Sequence, residues 1–108
     1  MIQNDLTNSQ RRRLHELAVL AYQRDLDVEL TKLEVEFTRW RAGELSPHEL
    51  SALIHDFHQG PSRELFSKYD QRFRELNVAD AIRRGVLSTD EVGVEILALL
   101  EPRLSSGE

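Results

Sequence analysis

Three of the four histidines in this chain, His48, His55 and His58, lie close together, with Ser51 among them. Their spacing of i, i+3, i+7 and i+10 lines one flank of a helix. An imidazole titrates near neutral pH, so this flank has the groups for acid–base work or for metal ligation. His55 and His58 sit about one turn apart and can share one ion, although i, i+4 is the stronger zinc spacing. His48 is about 10 Å from His55 along the helix axis, too far for the same ion. Further ligands would have to come from Asp56, Glu64 or a carboxylate elsewhere in the chain. The plainer reading is a polar flank whose imidazoles hydrogen-bond to neighbouring helices, and no cofactor is implied.

The segment Ile54-His55-Asp56-Phe57-His58-Gln59-Gly60-Pro61-Ser62-Arg63-Glu64-Leu65 is the richest in polar functional types. If one helix ends here and another begins at Pro61, the first N–H groups of the second can hold an anion with the help of Arg63. That makes His55, His58, Arg63 and Glu64 the candidate catalytic residues, and His55 and His58 the candidate metal ligands. The alternative is a tight turn at Gly60-Pro61, with Arg63 and Glu64 pairing to neighbouring helices. Together with Trp40-Arg41-Ala42-Gly43-Glu44 and Glu49-Leu50, this segment resembles that of small bacterial helical proteins. The resemblance covers about a quarter of the chain. It implies a bacterial source and brings no activity.

Other chemical signatures are missing from the sequence. It has no phosphate-binding glycine loop, no nucleophile elbow and no His-Glu-x-x-His. Without cysteine it has no disulfide, thiolate site or Cys nucleophile, which fits a cytoplasmic protein. The net charge of −5 argues against a broad nucleic-acid footprint. Arg11-Arg12-Arg13 remain as a local contact for phosphate or an acidic partner, or as a solvated first helical turn. The polar, acidic N-terminus does not read as a signal peptide. No apolar run approaches the roughly 20 residues of a membrane span.

The elements that must carry these residues are all helical. The chain is 40% hydrophobic and 31% charged and poor in Gly and Pro, and no strand pattern is convincing. Val92–Ile96 has some β character but lies behind a helix cap. The expected fold is all-α, a small helical bundle in one domain over 1–108. A long helix over about 7–41 is followed by four shorter ones at about 47–58, 61–76, 78–84 and 89–101. Ser46-Pro47-His48-Glu49 and Ser88-Thr89-Asp90-Glu91 are capping boxes that open helices. Gly43 and Gly85 read as helix stops, Gly60-Pro61 as a break, Asn77 as a further stop and Pro102 as the end of the last helix.

The long helix has two apolar faces. Val19, Tyr22, Leu26, Leu30, Leu33, Phe37 and Trp40 follow steps of three and four. Leu14, Ala21, Val28 and Val35 recur every seven residues nearly opposite, with Leu17 beside them. A helix of this length rises about 50 Å, whereas a compact domain of this size has a radius of gyration near 13 Å. The first face is expected to receive the later helices, burying Trp40. The second, Leu14, Leu17, Ala21, Val28 and Val35, is expected to be a homodimer interface. The rival arrangement is a kinked helix that buries both faces within one chain. The functional expectation is a non-enzymatic interaction module or regulatory subunit, whose partners are a second copy of itself and, in one version, another protein. One version is an acidic neutraliser of the antitoxin or immunity type. The alternative is a small metal protein or enzyme built on His55 and His58.

Overall fold

The structure, a computed structural model, describes residues 6–105. It is all-α, with no strand among the described residues. The elements are α1 (Asn8–Arg41), α2 (Pro47–Phe57), a π turn (His58–Ser62), α3 (Arg63–Lys68), a 3-10 turn (Gln71–Phe73), α4 (Arg74–Arg83), α5 (Thr89–Val92) and α6 (Val94–Ser105).

α1 is one helix of 34 residues. It opens on a reciprocal cap in which the Gln10 N–H donates to Thr7 Oγ1 (3.0 Å) and the Thr7 N–H to Gln10 Oε1 (2.9 Å). It closes on Gly43, whose φ of 80° lets the Glu44 N–H reach back to the Arg39 carbonyl (2.9 Å). This is a Schellman closure, a backbone turn that residues with a Cβ adopt only at a cost. Ser46 and Glu49 then cap α2 reciprocally, with Pro47 at the first helical position, and Ser88 and Glu91 cap α5 in the same way.

The described residues divide into two compact units, 6–22 with 69–105, and 23–68. The first has a true core. Leu14, Leu17, Ala18 and Ala21 of α1 pack with Val78 and Ala81 of α4, with Leu87 and Val92, and with Ile96 and Leu100 of α6. The alanines allow close approach, and the leucines fill the space between helices. Tyr22 and Tyr69 stack with ring centroids 5.1 Å apart. Polar contacts edge this core. The Arg103 guanidinium lies 2.8 Å from the Glu75 carboxylate, and that of Arg13 donates to the Glu91 carbonyl at 2.6 Å.

The second unit is an αα-hairpin made of the C-terminal part of α1, α2, the π turn and α3. Among its described residues Leu50 alone is buried, at 6% exposure.

Several boundaries differ from those the sequence suggests, each for a local reason. Gly60-Pro61 does not break the helix. Pro61 has no N–H to give and its ring crowds the preceding turn. The backbone widens into a π turn that holds Pro61 within it, and α3 follows directly. The helix expected over 61–76 is instead interrupted at Asp70. Asp70 is extended (φ −66°, ψ 140°), and its carboxylate accepts the Arg72 N–H at 2.9 Å and the Arg72 guanidinium at 3.1 Å. Hydrogen bonds from Arg72 hold the Asp70 carboxyl below its ordinary pKa. Asn77, expected as a stop, lies inside α4 and is buried, because the tertiary core claims that face. The helix expected over 89–101 is split at Gly93, and Pro102 sits within α6, which continues to Ser105.

Gly93 has φ 89° and ψ 156°, a region open essentially to glycine alone. A Cβ placed there meets nothing within 4 Å, so any cost is in the backbone. Gly93→Ala should therefore destabilise the fold by about 1–3 kcal/mol, measured as a shift in the urea unfolding midpoint. At the hairpin, hydrogen bonds from the Ser46 backbone and hydroxyl, and then Arg39, hold the Glu49 carboxyl below its ordinary value. A lowered carboxylate pKa contributes stability above the unfolded-state value, and this is lost as pH falls through the folded-state value. Glu49→Gln should be less stable than the natural chain at neutral pH, and the difference should shrink as pH falls through the folded-state value of Glu49, measured as urea midpoints across a pH series.

Candidate functional site

α2 carries His48 and His55, and His58 is the first residue of the π turn. All three are exposed, as are Arg63 and Glu64 on α3. Among the described residues no hydrogen bond or ion pair joins either imidazole to the other, to Arg63 or to Glu64. Nor do three or more His, Cys, Asp or Glu residues gather where they could hold a metal ion. The third ligand that His55 and His58 would need is therefore not among these residues. The anion site expected at the start of the helix after Gly60 also loses its basis. The chain stays helical through the π turn, so no helix start stands open at Pro61.

The polar segment does contribute to a groove inside the hairpin. Leu33 of α1 meets Leu53, Phe57 and Pro61 across a depression of about 210 Å³. Glu29, Lys32, Glu36 and Asp56 form its rim. This is the seam along which α2 lies beside α1, and its apolar floor remains open.

The proposed interface stripe is divided. Leu14, Leu17 and Ala21 are fully buried in the core of the first unit and cannot meet a second chain. Val28 and Val35, two turns apart, remain exposed at 54% and 53%. The reason is the distribution of covering helices. α4 and α6 occupy this face of the N-terminal part of α1, and among the described residues no element occupies it at Val28 and Val35. The first stripe is divided as well. Leu33 is half-buried, but Leu30 and Phe37 are exposed and form a hollow flanked by Asp27 and Glu34. Ile54 and Phe66, which the periodicity of their helices assigns to a core, are exposed too, Phe66 at 73%. Trp40, at the end of the first stripe, is largely covered, as its position predicts. The Arg41 guanidinium lies 5.2 Å from the ring centroid.

The charges beside these apolar edges are held in short local pairs. Lys32 lies 3.2 Å from Glu29, and Arg39 lies 2.8 Å from Glu36. Exposed pairs of this kind contribute up to about 1 kcal/mol each and exchange readily for water or another chain.

No family model matches the chain, and neither a curated protein nor a solved structure shows significant similarity to it. No helix among the described residues is long and apolar enough to cross a membrane.

Exposed imidazoles without a third ligand should tolerate removal. The double variant His55→Ala/His58→Ala should unfold within about 0.5 kcal/mol of the natural chain. Equimolar zinc should leave the thermal midpoint of both proteins unchanged. A zinc-dependent rise that the double variant lacks would restore the metal reading.

Proposed function

We propose that this chain is a non-enzymatic interaction module that forms a homodimer through the hairpin of residues 23–68. The observation that carries this reading is the imbalance of the hairpin. It has a single buried residue, Leu50, yet exposes Val28, Leu30, Val35, Phe37, Ile54 and Phe66. Single exposed apolar residues are ordinary, but this many on a short unit with one buried residue leave it short of a core of its own. A pair of helices gains little from its own packing, because helical stability comes mainly from burying an apolar face against further elements. A second hairpin supplies those elements, as two helix pairs do in a four-helix arrangement.

The reading places the contact on the C-terminal half of α1, since Leu14, Leu17 and Ala21 are already used within the chain. Val28 and Val35 form one edge, and Leu30 and Phe37 form another. Lys32 and Arg39 lie toward the first edge, Asp27 and Glu34 toward the second, so unlike charges meet where the first edge of one copy lies against the second edge of the other. Each pair would exchange a local partner for one on the other chain, at small net cost.

Because these side chains are exposed in the single chain, charging them should not unfold it. Val35→Asp and Phe37→Asp should each keep the far-UV circular dichroism of the natural chain. Light scattering at tens of micromolar should give the natural chain the mass of two copies and the affected variant the mass of one. A natural chain with the mass of one copy at that concentration would end the homodimer reading. Variants that lose their helicity would show that these side chains hold the fold rather than an interface.

A further inference from the structure

A second feature lies in the other unit and is independent of the hairpin. Arg11 of α1, Arg72 of the 3-10 turn, Arg74 at the start of α4 and Arg103 of α6 line one cavity of about 250 Å³. The single carboxylate in its lining is Glu75. Four arginines from four separate elements meet here in a chain whose net charge is −5.

Two of the four charges are balanced and two are not. Arg103 pairs with Glu75 at 2.8 Å, and Arg72 pairs with Asp70 through two bonds of 3.1 Å. The Arg11 guanidinium donates to the neutral side chain of Asn8 at 2.9 Å. Arg74 has no hydrogen bond or ion pair from its side chain among the described residues. No local helical pattern requires this gathering, because the four residues come together only through the tertiary fold. Their mutual repulsion is a standing cost that an anion would offset.

The arginines are also prepared for such a ligand. Arg72 lies against the Phe73 ring, with the guanidinium 5.4 Å from its centroid, and the Asp70 bonds fix its plane. The carbonyl of Arg103 accepts from the Arg83 guanidinium at 2.9 Å, which ties down the end of α6. The first residues of α4, Arg74, Glu75 and Leu76, line the cavity, and Phe73 provides no side-chain cap. The positive end of that helix therefore adds to the same potential.

We infer that this cavity binds a small organic phosphate monoester. A monoester carries between about 1.5 and 2 negative charges at neutral pH, close to the two unbalanced arginines. Guanidinium groups bind phosphate oxygens through paired, charge-assisted hydrogen bonds. Leu6, Phe73 and Leu76 form an apolar wall beside the arginines, and Phe73 and Leu76 are partly open to solvent. This wall receives the organic part of the ligand, which inorganic phosphate lacks.

The test is calorimetric titration of the full chain with adenosine monophosphate, inorganic phosphate and a short single-stranded oligonucleotide. The monoester should bind saturably, at one per chain, and more tightly than inorganic phosphate. Arg74→Gln and Arg11→Gln should each weaken it at least about tenfold, the loss expected for one charge-assisted contact. Neither side chain holds a carboxylate, so both variants should keep the natural circular dichroism. Arg12→Gln, an exposed neighbour outside the cavity, should bind as the natural chain does. No saturable binding at millimolar monoester would overturn the inference. So would an equal loss in Arg12→Gln, which would mark a diffuse charge effect. Equal affinity for inorganic phosphate would overturn the organic-ligand assignment. Tighter binding of the oligonucleotide would replace it with a nucleic-acid contact.

Discussion

The burial of Leu14, Leu17, Ala18 and Ala21 against α4 and α6 is the interaction on which the rest of the structure depends. These residues occupy one face of the N-terminal part of α1, and the partners that cover them come from the other end of the chain. Apolar burial is the dominant favourable term in folding, and this cluster is where the chain concentrates it. The small side chains Ala18, Ala21 and Ala81 belong to the same buried cluster. Leu17 and Leu100, both without solvent exposure, fill the remaining space. Once that face is spent inside the chain, it is not available for anything else.

The irregular features fit the same constraint. Asp70 halts one helix so that the chain can restart as α4 with Val78 and Ala81 on the core side. Gly93 turns the chain between α5 and α6 so that Val92 and Ile96 both reach the core. Pro61 is accommodated by a widened turn, where a complete break would have exposed several backbone donors and acceptors. Each departure from a regular helix is local, and at Asp70 the turn is closed by its bonds to Arg72.

The two units then present different surfaces. The unit with the core gathers arginines at one margin, where the ends of α4 and α6 meet the start of α1. The hairpin has no comparable core, and its apolar side chains stay in water. The charges on α1 are arranged as exposed pairs one turn apart, which contribute to solubility more than to stability. The histidines of α2 are solvent-facing side chains on a helix whose opposite face touches α1.

The sequence by itself determined the fold class, the long first helix with its Gly43 closure, and the capping boxes at Ser46 and Ser88. These follow from local chemistry: a side-chain oxygen three residues before its backbone donor, a glycine where φ must be positive, and a helical period. The heptad spacing of Leu14, Ala21, Val28 and Val35 was equally legible, but what covers each position was not. Periodicity marks which face of a helix is apolar and leaves open whether a partner segment exists to bury it. Only the tertiary structure decided that α4 and α6 reach the first two of those residues and not the last two. The same limit hid the arginine cavity. Arg72, Arg74 and Arg103 carry no spacing signal, and their proximity to Arg11 exists only after the chain ends have packed. The π turn at Pro61 was likewise undecidable from the sequence, because proline can end a helix or be absorbed within it. Which of the two occurs depends on whether the segments on either side are held in line.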